Sequence, residues 1–468
     1  MIDLPNLLAR GGLPSLDFPD AVERLEVTGA DPIFATAFPV GELAATALAG
    51  GGVAAARLWR LRGGDPQSVA VDVGAAAASL LGFVLQSQPG GREDVPLARL
   101  TTATTALYEC GDGRFIHLHG GFPHLHEGTL ALLGCAADAD SIAAAVRTWK
   151  AADLEQALAD RRLCGALVRT PEEWSDHPQG RALAALSAIE IERIGEAPVE
   201  PLPRGTRPLS GVRNLDLTRV LAGPTSGRTL ASYGADVLRV ASPHLPSIPP
   251  FVIETGHGKR SAFLDLRRTA DVERLRELAR SADVFTDGYR NGALAQRGFG
   301  AEALAELRPG IVVVALSCYG DVGPWATRAG WEQLAQSASG IAHLQGGQGG
   351  DGRPQLLPAA VTDYTTGYLA AWGAMEALRR RATEGGSWLV RVSLCQSAQW
   401  LLRLGVDRDP ASATGLPSPA ALQITSETPY GSITHLAPAV QLSRTPVFWE
   451  RPTVPLGHNP PEWLPHTD

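Results

Sequence analysis

Leu356-Leu-Pro-Ala-Ala-Val361-Thr-Asp363-Tyr-Thr-Thr-Gly-Tyr368-Leu-Ala-Ala-Trp372-Gly-Ala-Met375-Glu-Ala-Leu378-Arg-Arg-Arg381 carries apolar residues at 364, 368, 371, 372, 375 and 378, the period of a helix with one buried face. Asp363 stands just before that pattern and is predicted to be the N-cap. There its oxygens would accept backbone N–H bonds and meet the positive end of the helix dipole. Both effects favour the ionised carboxylate. The same stretch has a partner earlier in the chain. Residues 40–81 align without a gap on 361–402, with matches that include Val40/Val361, Leu48/Leu369, Gly52/Gly373, Arg60/Arg381, Val69/Val390 and Leu80/Leu401. Each copy reads as helix, glycine-containing turn, short strand, helix. Glu42 occupies the place of Asp363 in the first copy, so part of a domain is duplicated.

The rest of the chain narrows the class. A length of 468 residues predicts two to four domains, each with its own core. Hydrophobic content of 44% and charged content of 19% are ordinary for globular protein. A formal charge of −8 argues against nucleic acid as a partner. No apolar run reaches the length of a membrane span, and Met-Ile-Asp-Leu-Pro-Asn lacks the basic and apolar regions of a signal peptide. Five cysteines, dispersed and without a Cys-x-x-Cys pair, fit a reducing cytoplasm.

Residues 1–106 are expected to hold the partial duplicate, 107–196 a small α+β unit, and 197–210 a proline-rich linker. Within the small unit Gly113-Arg-Phe-Ile-His-Leu-His119 reads as a strand, and Thr170-Pro-Glu-Glu as a helix start. Residues 86–96 read as a surface connection. From 211 to 410 short β-branched runs alternate with helical segments: Val212-Arg-Asn-Leu-Asp-Leu217, Asp236-Val-Leu-Arg-Val240, Asp283-Val-Phe285 and Ile311-Val-Val-Val-Ala-Leu316. That alternation predicts an α/β fold with a doubly wound parallel sheet beside the smaller α+β domain. Such sheets bind ligands beyond the carboxyl ends of their strands. Residues 411–468 form a closing segment.

Five short motifs in order resemble family III CoA-transferases, the CaiB/BaiF group. They are Leu215-Asp-Leu-Thr-Arg-Val-Leu-Ala-Gly-Pro224 with Gly234-Ala-Asp-Val-Leu-Arg-Val240; Gly258-Lys-Arg-Ser-Ala-Phe-Leu-Asp-Leu266; Ala282-Asp-Val-Phe-Thr-Asp-Gly-Tyr-Arg-Asn-Gly292; Tyr319-Gly-Asp-Val-Gly-Pro324; and the Asp363 helix. The resemblance covers 208–457 well and 35–190 more loosely, with the small-domain stretch placed before the Rossmann-like one. It implies a Rossmann-like CoA-binding domain in a tandem fusion of two family chains, each having lost a different part. It implies Asp363 as nucleophile with Glu332 nearby, and CoA contacts from Val220, Leu221, Ala222, Lys259, Arg260, Tyr289, Ala293 and Arg297. Arg290 is a weaker candidate of the same kind. Coenzyme A is then a substrate rather than a cofactor, the other partners are an acyl donor and a carboxylic acid, and the expected assembly is a homodimer. Three positions depart from the family pattern: Ala241 replaces an acidic residue, Gly288 an Asn, and Gln296 an Arg.

A carboxylate nucleophile divides an acyl transfer into easier covalent steps, and each step develops an oxyanion that needs N–H donors. The glycine-rich stretch at 346–350 offers either such donors or an exposed loop. For Lys259 and Arg260 the alternative to phosphate binding is a solvated pair ahead of a strand. His117, His119, His124 and His126 form the densest polar cluster, read as a loop contacting substrate in preference to a metal site. Cys318 has no evident base. Two other functions share the pattern. An α-methylacyl-CoA racemase of the same fold would need a His where Trp331 stands, and a non-catalytic CoA-binding protein would tolerate the altered motifs.

Overall fold

The computed structural model describes residues 3–87, 102–347 and 352–465. The connection expected at 86–96 falls outside them from 88 onward, as do 348–350 of the glycine-rich stretch. Among the described residues the strands are β1 (Val22–Thr28), β2 (Gln67–Asp72), β3 (Thr105–Glu109), β4 (Phe115–His119), β5 (Gly165–Leu167), β6 (Glu190–Gly195), β7 (Arg213–Leu217), β8 (Asp236–Ala241), β9 (Lys259–Phe263), β10 (Val284–Asp287), β11 (Val312–Ser317), β12 (Ser387–Ser393), β13 (Gln423–Thr428), β14 (Gly431–Leu436) and β15 (Val440–Leu442).

Seven of them form one sheet in the order β6-β12-β11-β10-β7-β8-β9. Every pairing in it is parallel except β6 on β12. Its strands are mostly buried runs such as Val312–Ser317, as expected where helices cover both faces of a parallel sheet. Taken from β7, the parallel strands run third, second, first, fourth, fifth, sixth. The order therefore reverses between β7 and β10, and their carboxyl ends open a crevice.

The small unit is a three-stranded antiparallel sheet, β3-β4-β5, backed by the helices Pro123–Leu133, Ala139–Val146 and Ala151–Asp160. Ile116, Leu118, Ile142 and Leu154 are fully buried in its core. Its expected limit at 196 is corrected: β6 leaves the small unit and pairs antiparallel with β12.

The duplication is physical. Helices start at Val40 and Val361, strands at Gln67 and Ser387, and following helices at Val73 and Leu394. Asp72 caps its helix by accepting from Ala75 N, and Ser393 does the same for Gln396 N. β2 has a parallel neighbour, β1, on one side and an antiparallel one, β15, on the other; β12 has β11 and β6 in the same relation. The closing segment thus does more than close the larger domain, because β15 completes the first copy's sheet. A Cβ on Gly52 would press on Val69, and one on Gly373 on Val390. Both glycines let their helix lie close on its own strand.

The two repeat helices pack on one another, tied by Arg57 to Glu376 at 2.8 Å. At Gly50 the helix backbone meets the Trp372 ring, which would lie 2.3 Å from a Cβ, whereas at Gly51 the nearest atom would be 3.8 Å away. Replacing a helical glycine by alanine ordinarily stabilises by about 0.5–1 kcal/mol, but overpacking costs about 1–3 kcal/mol. Gly51→Ala should therefore raise the urea midpoint and Gly50→Ala lower it. Equal shifts in the two variants would contradict this packing.

Candidate active site

The helix Val361–Glu384 starts at Ala360, which has no side-chain cap, so its first-turn N–H groups need a partner from elsewhere. Glu332, at the start of the helix Glu332–Ser339, supplies it. Its Oε1 accepts from Thr362 N at 3.0 Å, and its Oε2 from Asp363 N and from Thr362 Oγ1, each at 2.5 Å. Gln336 Nε2 donates to Oε1 at 2.7 Å and fixes the carboxylate. The N-cap expectation for Asp363 is corrected here: Asp363 is the third helical residue, and Glu332 does the capping. With its backbone held, the Asp363 carboxylate is left free of that task. Burial and the neighbouring Glu332 charge both push it well above the usual carboxylate range. Glu332 is also raised by burial, against the bonds it accepts from Thr362 and Gln336.

The first copy repeats this arrangement with the parts altered. Glu42 is again the third residue of its helix, and Asp31 Oδ2 accepts from Glu42 N at 2.7 Å. Asp31 therefore plays the part of Glu332. The Glu42 carboxylate, however, is engaged: Oε2 accepts from Arg408 at 2.8 Å and Oε1 from Asp31 N at 3.2 Å. An ion-paired carboxylate that also accepts a backbone bond is a poor nucleophile.

Around the crevice the sequence-predicted residues divide into two sets. Val220, Leu221 and Ala222 form the turn from β7 into the helix Ala222–Ser232. Val220 lies at φ 67°, in the left-handed region that β-branched residues avoid. Tyr289 follows β10, and Ala293 lines an open cleft of about 630 Å³ beside Arg162, Arg290 and Arg328. Lys259 and Arg260 are corrected: they lie within β9 and not ahead of it, and both are buried. Lys259 Nζ donates to Asp216 at 2.7 Å and to the Pro224 carbonyl at 2.6 Å. Burial lowers its pKa to about 8, against the attraction of Asp216. Arg260 pairs with Asp236 and donates to the Glu462 carbonyl. Arg297 is exposed and donates to the Leu266 carbonyl at 2.8 Å. These three guanidinium and ammonium groups are already committed within the protein.

The small unit does reach the Asp363 neighbourhood. His117 and His119 lie on β4, where the sequence placed a strand, while His124 and His126 open the helix Pro123–Leu133 and not a loop. His119 stacks on Trp331 at 4.5 Å, and Phe122 packs edge-on against the same indole. Trp331 immediately precedes Glu332. His117 faces Ser337 at 3.4 Å, His126 bonds Thr104 at 2.8 Å, and His124 is exposed, so the four imidazoles do not converge. Cys318 is buried, and burial keeps its thiol protonated.

Three residues at the crevice escaped the sequence reading. Arg219 and Arg239 line a cavity beside Val220. Asp287 ends β10, where burial raises it to about 7 against a bond from Tyr289 N. The available signal was alternation: Arg239 and Ala241 share one face of β8, and Asp216 of β7 stands in register beside Arg239.

A sequence model described as CoA-transferase family III matches residues 24–206 and 209–420. An acyl-CoA transferase of Gibberella moniliformis (strain M3125 / FGSC 7600) is 37% identical over 322 residues, 63% of this chain and 56% of that protein. The succinyl-CoA:glutarate CoA-transferase of Mus musculus is 34% identical over 203 residues, 41% of this chain and 46% of that protein. The chain spans about half the length of the curated relatives it matches. Among solved structures, a CAIB/BAIF family protein from Brucella suis aligns at 28% identity over 49% of this chain and 65% of that one, with a TM-score of 0.40, too low for a comparison of folds.

Asp31 provides a test of the first copy. Burial raises its pKa from 3.8 to about 6, against the backbone bonds from Glu42 and Ile33. A folded value above the unfolded one means stability that is present at low pH and lost as pH rises through 6. Between pH 4 and 6 the urea midpoint of wild type should fall relative to that of Asp31→Asn. A wild-type midpoint that instead rises relative to the variant would show that Asp31 is held as a stabilised anion.

Proposed function

Because the chain belongs to CoA-transferase family III, we propose that it moves CoA from an acyl-CoA thioester to a carboxylic acid through a covalent adduct on Asp363. One observation carries this reading: a carboxylate in the first turn of a buried helix, its backbone fixed by Glu332 and its charge desolvated. A desolvated carboxylate is a stronger nucleophile than a hydrated one, and the fixed backbone limits the orientations it must search.

In the first step an Asp363 oxygen bonds to the thioester carbonyl carbon and the C–S bond breaks, giving a mixed anhydride and CoA thiolate. The thiolate then attacks the Asp363 carbonyl of the anhydride, releasing the donor acid and leaving an aspartyl-CoA thioester. An acceptor carboxylate attacks that thioester and expels the thiolate again. Attack of the thiolate on the acceptor's acyl carbon yields the new acyl-CoA and restores Asp363. Charge and atoms balance at each step, so coenzyme A serves as substrate and no separate cofactor is called for. Glu332 is a positioning residue that holds the Asp363 backbone and raises its pKa.

The turn at Val220, Leu221 and Ala222, with Tyr289 and Ala293 across the crevice, is the proposed CoA path. Lys259, Arg260 and Arg297 are left out of it because their charges are paired or point elsewhere. A homodimer in the cytoplasm completes the reading, on the family resemblance. Among the described residues no helix is long and apolar enough to cross a membrane.

Asp363→Asn separates a nucleophile from a structural carboxylate. The raised pKa means that ionisation of Asp363 costs stability as pH rises above its ordinary value of 3.8. An amide that cannot ionise should thus melt at or above wild type at pH 7, still bind CoA, and lose exchange of labelled CoA by several orders of magnitude. During wild-type turnover hydroxylamine should convert Asp363 to its hydroxamate, visible as a mass change on its peptide. An Asn variant with wild-type exchange, its amide confirmed intact, would end the covalent scheme. Turnover should also show an acid limb above the ordinary aspartate range. Glu332→Gln should move that limb to lower pH, because removing a like charge favours the Asp363 anion.

A further inference from the structure

The helix Glu332–Ser339 lies between the small unit and the Asp363 helix and is bonded to both. On one side it holds the start of the Asp363 helix: Glu332 accepts from Thr362 N and Asp363 N, and Gln336 Oε1 accepts from Leu357 N at 2.8 Å. On the other side the small unit grips it at both ends. His119 of β4 stacks on Trp331, which immediately precedes the helix, with ring centroids 4.5 Å apart and planes 7° from parallel. At the far end Arg169 N donates to the Ser337 carbonyl at 3.1 Å, and His117 Nδ1 faces Ser337 Oγ at 3.4 Å. Arg169 is itself tied back into the small unit, its guanidinium bonded to Glu155 at 2.8 Å.

The stack is the grip nearest to the nucleophile. Trp331 has an extended backbone and begins the helix without a side-chain cap. Its carbonyl accepts from Leu334 N at 3.0 Å and from Ala335 N at 2.9 Å. Moving the indole therefore moves the point at which the helix begins, and Glu332 is the next residue. Phe122 meets the same indole edge-on at 5.3 Å, so two rings of the small unit hold it from two directions. His119 is 6% exposed, and burial lowers its pKa to about 4. A neutral ring bears on Glu332 through packing and not through charge. A close-packed interior transmits a displacement rather than absorbing it, and a misplacement of about 1 Å costs on the order of 100-fold in rate.

We propose that His119 and Trp331 are positioning residues: the stack of the small unit on Trp331 holds Glu332 in the place from which it fixes the Asp363 backbone. Docking of the small unit thereby completes the nucleophile. The proposal rests on the reading of Asp363 as nucleophile.

Variants of the full chain test it. His119→Ala should lower kcat for CoA transfer about tenfold or more and leave KM for the acyl-CoA within about twofold. His119→Phe keeps a planar ring and should recover most of kcat. Trp331→Leu should lower kcat as well, and the double variant no further, because the same contact is removed only once. Ile142→Ala serves as the stability control: Ile142 is fully buried on the helix Ala139–Val146, which packs on β3 and on the helix Pro123–Leu133. Amide exchange on the peptide that carries Thr362 and Asp363 reads the coupling without turnover. It should quicken about tenfold in His119→Ala and stay at the wild-type rate in Ile142→Ala. Unchanged kcat and amide exchange in His119→Ala, additive losses in the double variant, or equal effects from Ile142→Ala overturn the proposal. So does a folded His119→Phe as impaired as the alanine variant. A wild type without CoA transfer, in which His119→Ala still frees these amides, would sink the transferase reading and leave the coupling standing.

Discussion

The Glu332 carboxylate sits over the first turn of the helix Val361–Glu384 and accepts two of its backbone N–H groups together with the Thr362 hydroxyl. Hydrogen bonds to a charged acceptor are worth about 1.5–3 kcal/mol each, so this contact fixes where the helix begins. It also decides what Asp363 is free to do. A capping aspartate would have its oxygens bound to amides; an aspartate capped by a neighbour keeps them available. The desolvation that raises Asp363 and the placement of its carboxylate both follow from that one contact between two helices.

The first copy shows what happens when the same frame loses its opening. Asp31 stands in for Glu332 and bonds to Glu42 N, so the helix start is preserved. Arg408 then closes on Glu42. The frame persists because it stabilises the helix, independently of any chemistry. Packing confirms the kinship: glycines at 52 and 373 bring each helix onto its own strand, and Gly50 lets Trp372 lie against the backbone between the copies. The chain folds around this contact of two related helices, and each reaches into the tail or the small unit for what its own copy lacks.

At the crevice, pairing rather than composition decides which cations are already satisfied within the protein. Lys259 is held by Asp216, and Arg260 by Asp236. Both resemble ligand groups in the sequence, and in the fold both are paired with a buried or half-buried carboxylate. Arg239 is nearly as buried, yet part of its guanidinium has no protein partner. A buried pair is costly to break and offers little to a ligand, while a buried unpaired charge is costly to leave alone.

Much of the architecture was legible in the chain. Periodicity located the Asp363 helix, the ungapped repeat placed helix, strand and helix in both copies, and alternating β-branched runs gave the parallel sheet. These are local signals, written into residues that lie near one another in sequence. Partnerships across the fold were not legible in this way. That β6 leaves the small unit, that β15 completes the first sheet, and that Glu332 caps the helix all depend on segments tens to hundreds of residues apart. Arg60 and Arg381 state the difference most simply. They hold matching places in the repeat, and the sequence treats them alike. Arg60 is exposed, whereas Arg381 is fully buried and donates to Asp283 at 2.8 Å. Asp283 stands at the head of β10, a strand with no counterpart in the first copy's sheet among the described residues. The sequence alone determined that each helix would carry an arginine near its end; the neighbouring strand, present beside one copy and, among the described residues, absent beside the other, decided whether that charge would be buried in an ion pair or left in water.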